Sequence, residues 1–286
     1  MSVPFKIDLK SKTAVVTGGG GILCGAMAEA LAECGAKVAI LDLKLEFAEK
    51  VAAGICAKGG KAIGVDANVL DAESLKRAEK KVCEAFGPCD ILLNGAGGNH
   101  PKGTTSNEFL TPEDMKKIGS KDFVSFFDLD PEGVKFVFNL NFLGTLLPTQ
   151  VFAAKMAERK SGVIINVSSM NAFCPLTKIP AYSGAKAAVS NFTQWLAVHF
   201  SKMNVRVNAI APGFFITKQN EALLKKPDGS FSDRAKKILN MTPMGRFGEP
   251  SELIGALLWL ADDKASGFVS GVVVPVDGAF SAYSGV

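Results

Sequence analysis

Short, unbroken apolar runs alternate along this chain with longer segments whose apolar residues recur every three or four positions. KTAVVTGG predicts a buried strand running into a glycine turn, and the alanine-rich stretch after it predicts a helix from about Ile22 to Cys34. KVAILDL predicts a second strand, LEFAEKVAAGICAKG an amphipathic helix and KAIGVDANV a third strand. DAESLKRAEKKVCEAFG predicts a helix that opens on Asp71 as its N-cap. DILLNGAGG predicts a fourth strand and a second glycine turn. The β-α-β-α-β-α-β order predicts a Rossmann-type, doubly wound parallel sheet of about seven strands with helices on both faces, in a single α/β domain over 1–286.

The second half continues the pattern. DPEGVKFVFNLNFLGTLLPTQVFAAKMAERK predicts a long helix, and GVIINVSS a buried strand that ends at Ser169. The helix carrying Tyr182 is apolar nearly all round, which predicts burial on two sides, one against the sheet and one against a second subunit. NVRVNAIAPG predicts a sixth strand, EPSELIGALLWLAD the last helix with Pro250 in its first turn, and SGVVVPVDGAF the last strand. Two stretches do not fit this rhythm. Residues 98–127 form a polar insertion containing a short capped helix, TPEDMKK, at a strand's carboxyl end. Residues 214–245 form a second irregular stretch, expected to act as a lid.

The candidate chemistry lies between Ser169 and Lys186. Tyr182 and Lys186 are four residues apart, about one helical turn, so both side chains share a face. A free phenol is a poor acid–base group at neutral pH, and a cation beside it favours the phenolate. Ser169 emerges at a strand's carboxyl end, where open α/β sheets bind ligands. Far upstream, Gly18 and Gly21 allow close backbone approach to a pyrophosphate at a helix N-terminus. Asp42, at the end of the second strand, is placed to accept hydrogen bonds from ribose hydroxyls and to repel a 2′-phosphate. Lys44 lies nearby, but no arginine does, which favours NAD over NADP.

Six segments together, TGGGG (17–21), NGAG (94–97), NFLG (141–144), Ser169, YSGAK (182–186) and APGFFIT (211–217), resemble the short-chain dehydrogenase/reductases over nearly the whole chain. GGNHP, FFDLDPEGVKFVFNLNFLGTLLPTQVFA and TPMGRFGEP resemble the fructuronate reductases, or D-mannonate oxidoreductases, within that family. The resemblance implies a catalytic set of Ser169, Tyr182, Lys186 and Asn141, the last tying a water to the lysine. It implies cofactor contacts from Gly18, Gly21, Ile22, Asp42, Asp66, Ala67, Asn94, Ala96, Gly97, Tyr182, Lys186, Pro212, Gly213 and Thr217. Asp66 and Ala67 would hold the adenine edge, and Thr217 the nicotinamide carboxamide. The chain departs from the family spacing TGxxxGxG: Gly21 comes one residue early, Leu23 stands where a further glycine would fall, and a tightened loop is expected. Gly25 would then take over the close-packing role.

From Asn94 to Asn141 is 47 residues, roughly twice the family's usual span, and the surplus lies on the substrate side. Candidate contacts to a polar, anionic substrate are Asn99, His100, Lys102, Asn171, Gln219, Asn220 and Arg246. Each has a bland counterpart: the insertion reads equally as a surface flap, and Arg246 equally as a structural residue. His199 reads as a packing or interface residue, and Lys178 either as a further border of the substrate's carbon chain, beside Asn171, or as an exposed lysine.

Composition narrows the partners. A net charge of +4 over 286 residues, with no lysine–arginine run, argues against nucleic acid. Apolar runs broken by glycine, proline or polar residues argue against a membrane span, and the N-terminus lacks the apolar core of a signal peptide. The six cysteines contain no CxxC pair and predict reduced structural thiols in a cytoplasm, with no metal. The expected activity is NAD-dependent interconversion of a keto and a hydroxy sugar acid, D-fructuronate and D-mannonate, in a homo-oligomer (tetramer or dimer). The alternatives are a gluconate 5-dehydrogenase, a 3-oxoacyl-thioester reductase, or a non-catalytic nucleotide sensor on the same fold.

Overall fold

The computed structural model describes residues 6–217 and 221–285. The first half builds β1 (Thr13–Thr17), α1 (Ile22–Glu33), β2 (Lys37–Asp42), α2 (Leu45–Ala57), β3 (Lys61–Asp66), α3 (Ala72–Phe86) and β4 (Ile91–Asn94). After the insertion come α4 (Pro131–Phe138), α5 (Gly144–Arg159), β5 (Gly162–Val167), α6 (Pro180–His199) and β6 (Val205–Pro212). The chain closes with α7 (Glu221–Leu224), α8 (Asp233–Met241), α9 (Ile254–Ala261), α10 (Asp263–Ser266) and β7 (Val273–Val276). All strands are parallel, in the order β3-β2-β1-β4-β5-β6-β7. The order reverses between β1 and β4, and the crevice outside their carboxyl ends is where such sheets hold a ligand.

Strand periodicity divides the core between the two faces. Ala14 and Val16 of β1, with Val163 and Ile165 of β5, pack among α1, α2 and α9. Their neighbours Val15 and Ile164 point to the opposite face, into a cluster with α3, α5 and α6. Both faces are covered, so β1 and β6 are buried along their whole length, as a parallel sheet requires.

Pro131–Arg159 forms one helix of 29 residues, long and apolar enough by composition to cross a bilayer. Its Val137, Asn141, Phe152 and Met156 are nonetheless buried inside the protein, which makes it a core helix. It is regular except for a π-turn at Asn139–Leu143. Asn141 Nδ2 donates to the Val137 carbonyl at 2.7 Å, taking the acceptor that a regular helix would offer to the Asn141 backbone N–H. The side chain thereby stabilises the slipped register.

The predicted helix TPEDMKK is only a single 3₁₀ turn, Asp114–Lys117. The buried Asp114 carboxylate draws the chain around itself instead, accepting from Asn107 Nδ2, the Thr111 backbone N–H and Lys117 Nζ. Lys117 first, then Asn107, holds that carboxyl down to about 2.

Candidate active site

The site is built on strand ends. Thr17 Oγ1, at the end of β1, accepts from the Gly95 and Ala96 backbone N–H groups just past β4, at 3.1 and 3.3 Å. That clamp brings the two glycine turns together across the crevice. Gly18 has φ +62, and a Cβ there would lie 2.9 Å from the Ala96 backbone. Beside it, Asp42 Oδ2 accepts from the Gly20 N–H at 3.1 Å and Oδ1 from the Lys44 N–H at 3.2 Å. A Cβ on Gly20 would lie 2.8 Å from Asp42 Oδ2. A carboxylate is therefore fixed against a bare glycine backbone that opens onto the α1 N-terminus at Ile22. These residues fit a dinucleotide: the cradle is one that a single Cβ would fill.

The second glycine turn meets α1 at Cys24. Counting TGxxxGxG without a gap puts its last glycine on Cys24, and the packing agrees. A Cβ on Gly95 would lie 2.2 Å from Cys24 Sγ, so the side chain at 24 occupies the room that a side chain at 95 would need. Leu23 packs on the core instead, and Gly25 sits in ordinary contact with Gly19 and Val51. Burial pushes the Cys24 thiol up to about 12.

The carboxyl ends of β4 and β5 hold the chemical residues. Ser169 follows β5 in an extended conformation, and its Oγ accepts from the Asn171 N–H at 3.2 Å. Its hydroxyl is near enough to the Tyr182 phenol to lower the phenol's pKa. Lys186, buried one turn along α6, donates from Nζ to the Val167 carbonyl at 2.8 Å. Ser168 Oγ donates to the Lys186 carbonyl at 3.2 Å and lies 2.7 Å from Ser190 Oγ, which fixes the strand end against the helix. Asn141 faces this group across Gly97. Its Oδ1 accepts from the Gly98 N–H at 3.2 Å and its Nδ2 donates to the Gly98 carbonyl at 2.7 Å. A Cβ on Gly97 would lie 2.6 Å from Asn141 Oδ1 and 3.2 Å from Lys186 Nζ. Ser169, Tyr182, Lys186 and Asn141 thus converge around one point.

The expectation that Lys186 depresses the Tyr182 phenol is not met. Burial raises the phenol above its usual value, and the influence opposing it is the neighbouring Ser169 hydroxyl. The lysine is aimed elsewhere: Nζ is 5.7 Å from the ring centre and spent on Val167. Burial also brings Lys186 itself down to about 8.

Among the other candidates, Asn94 Nδ2 donates to Thr149 Oγ1 and Asn166 Oδ1, both at 2.9 Å, bracing β4 against α5 and β5. Ala67 is buried, its N–H donating to the Asp42 carbonyl at 2.9 Å, while the Asp66 carboxylate faces solvent in an ion pair with Lys81 at 2.8 Å. Pro212 ends β6 opposite Val276, and a Cβ on Gly213 would lie 2.5 Å from the Asp277 Cα. Thr217 is the last residue before an undescribed stretch; Gln219 and Asn220 lie outside the described residues.

The candidates for substrate contact spend their polar groups locally. Asn99 Nδ2 donates to Thr104 Oγ1, His100 Nδ1 accepts from the Lys102 N–H, and Lys102 pairs with Asp130 at 3.1 Å. Arg246 forms a two-pronged pair with Glu252 at 2.7 and 2.6 Å. It lines a cavity of about 350 Å³ beneath β7 that contains neither Ser169 nor Tyr182. Asn171 is buried beside Ser169, with its Oδ1 making no hydrogen bond among the described residues. His199 stacks on Trp195 at 4.7 Å. The sequence reading passed over Thr17, Cys24 and Ser168; adjacency to Gly18 and Ser169 was the signal for the first and last.

A dinucleotide cradle at the switch point, facing a serine–tyrosine–lysine cluster on neighbouring strand ends, defines an oxidoreductase of the Rossmann type. The chain belongs to the short chain dehydrogenase family, which matches it over residues 12–228. An uncharacterized oxidoreductase of Haemophilus influenzae is 57% identical over 100% of this chain and 99% of its own length. A 2-dehydro-3-deoxy-D-gluconate 5-dehydrogenase of Formosa agariphila is 34% identical over 100% of this chain and 98% of its own. A crystal structure of a candidate D-mannonate oxidoreductase from Haemophilus influenzae, with NAD bound, superposes with a TM-score of 0.92 at 56% identity, covering 100% of both chains.

Proposed function

We propose that this protein reduces D-fructuronate to D-mannonate, and catalyses the reverse, with NAD(H) as cofactor. The observation that carries the reading is the convergence of Ser169, Tyr182, Lys186 and Asn141 at strand ends facing the glycine cradle. The likeness to a D-mannonate oxidoreductase supports the choice of substrate. NAD, when bound, supplies or accepts the hydride at its nicotinamide ring. In the reducing direction Tyr182 donates its proton to the substrate oxygen as negative charge develops there, and its raised pKa keeps it protonated for that task. Ser169 donates a hydrogen bond to the same oxygen and holds it in line. Lys186, its ammonium anchored on the Val167 carbonyl, offers a donor toward the cofactor ribose. Asn141, locked on Gly98, positions the helix turn from which a water relay to Lys186 would run.

Asp42 selects NAD. Its carboxylate, held by the Gly20 and Lys44 amides, accepts from ribose hydroxyls and repels a 2′-phosphate. The 98–127 insertion and the 214–245 segment cover the substrate side of one domain. Six cysteines without a disulfide support a cytoplasmic protein. Exposed Trp195 and Val198 on α6 support a homo-oligomer, a dimer or tetramer, through that face. A second reading, another keto sugar acid such as 5-ketogluconate, is supported by the Formosa relative.

NADH oxidation is the test, with D-fructuronate, 5-ketogluconate and an acetoacetyl thioester as parallel substrates. Turnover of D-fructuronate with NADH and little with NADPH is the expected result. Turnover of only another carbonyl keeps the mechanism and discards the substrate.

A further inference from the structure

The rim of the site is drawn together from three distant parts of the chain. Gly103 of the insertion packs on α6 just before Tyr182, where a Cβ would lie 3.6 Å from the Ala181 Cβ. Two residues on, the Thr105 N–H donates to the Lys178 carbonyl at 2.9 Å. Further along the insertion, Glu108 forms an ion pair with Lys237 of α8 across 129 residues of sequence. The insertion therefore runs from the catalytic helix to the 214–245 segment.

Three cations are carried by the segments joined there. Arg234 and Lys237 are three apart on α8, hence neighbours on its surface, flanking the buried Ala235 and Ile238 that fix the helix's orientation. Lys178 is half-buried and holds a left-handed backbone, φ +71, which a non-glycine residue adopts only at a cost. All three act on one carboxylate: Lys237 first, by hydrogen bond and charge, then Lys178 and Arg234 by charge, lower the Glu108 pKa. The charge is regional as well. Residues 214–245 hold six lysines and arginines against three acids, so that stretch carries three of the chain's net +4.

We infer that Lys178, Arg234 and Lys237 form the subsite for the carboxylate of the sugar-acid substrate, with Glu108 as the protein's own anion in the same place. The inference rests on the proposed sugar-acid activity and adds the residues that recognise the acid. Lys178 lies two residues before α6 begins, and the inference places the carboxylate at this end of the site, with the rest of the six-carbon chain extending toward the phenol. The substrate carboxylate displaces Glu108 from Lys237, and the cations exchange one carboxylate partner for another.

Steady-state reduction of D-fructuronate by NADH tests this. Lys178→Gln and Lys237→Gln are each expected to raise KM about tenfold, with kcat within about twofold, as loss of a charge-assisted contact predicts. Lys237→Arg restores KM, and Lys236→Gln leaves it unchanged. Glu108→Gln separates recognition from simple bridging: it breaks the pair and keeps the cations, so KM is expected to fall or hold. Lys237 is exposed, so its variants report even where Lys178→Gln fails to fold. An unchanged KM in Lys237→Gln overturns the inference. So does a KM raised as much by Glu108→Gln as by Lys237→Gln, which would mark a bridge that only joins two segments. Wild-type enzyme inactive on D-fructuronate is a separate failure: it removes the proposed substrate, and this subsite with it.

Discussion

The centre of the site and its rim are built on opposite principles. At the centre, Ser169, Lys186 and Asn141 are buried, and each is held by hydrogen bonds to backbone at a strand end or helix turn. At the rim, Lys102–Asp130 and Lys237–Glu108 are ion pairs between side chains that water reaches. Buried polar groups tied to backbone cannot move without leaving a donor or acceptor unsatisfied, which costs about 1–3 kcal/mol each. Exposed ion pairs contribute roughly 0–1 kcal/mol and exchange partners readily. The contrast suits the two proposed tasks: proton transfer needs fixed distances, whereas admitting the proposed anionic substrate needs charges that can change partners.

The largest expected effect comes from breaking the centre at its acid. Tyr182→Phe removes the proposed proton donor to the substrate oxygen while keeping the ring's packing. Turnover is expected to fall by at least about 10²–10⁴-fold, the range for loss of a positioned acid–base group. NADH binding, followed by fluorescence or calorimetry, is expected to persist. Near wild-type turnover would move the chemistry away from Tyr182 altogether.

The same contrast separates what the sequence makes legible from what it hides. The alternation of strands and helices and the Ser169–Tyr182–Lys186 set are local signals: an apolar run ends at a serine, and two residues lie one helical turn apart. The rim is not local. Glu108 and Lys237 are unremarkable letters until folding brings them together across 129 residues. Nothing in NGAG explains why Gly95 lacks a side chain until Cys24 is found in the space that one would fill. The substrate candidates in the insertion were chosen by residue type, and residue type is silent on whether Lys102 faces a ligand or Asp130. The direction of the Tyr182 shift also escaped, because spacing places a lysine on the same face without saying where its ammonium points. The Val167 carbonyl decides that.

Lys186 offers a second way to probe the centre, through pH. Burial brings its ammonium from 10.5 down to about 8 in the folded protein. Below about pH 8 it is charged in both folded and unfolded chains, and the cost of burying the charge is present in full. Between about pH 8 and 10.5 the unfolded chain binds the extra proton, so stability rises with pH across that window. Relative to Lys186→Met, the wild type is expected to gain up to roughly 3 kcal/mol over this range, at about 1.4 kcal/mol per pH unit. Denaturant unfolding of both proteins at pH 7, 9 and 10.5 measures the difference. A gap that stays constant with pH would mean that the ammonium is solvated, and that the centre is less closed than its hydrogen bonds imply.

The smallest expected effect tests whether the cofactor side is as tightly packed as the chemical centre. A methyl group added at Gly95 would lie 2.2 Å from Cys24 Sγ and 2.9 Å from the Thr17 carbonyl, so something must shift. Gly95→Ala is expected to lower the unfolding free energy by roughly 1–3 kcal/mol, the usual range for overpacking. Cys24→Ala empties the space at the sulfur but cannot move the Thr17 backbone. Combining the two substitutions should therefore restore part of the loss, with a coupling of at least about 0.5 kcal/mol. Strict additivity would show that the Thr17 carbonyl, and not the sulfur, forbids a side chain at 95. The cradle would then be closed by backbone on both sides of the crevice, and the thiol at 24 would merely fill space beside it.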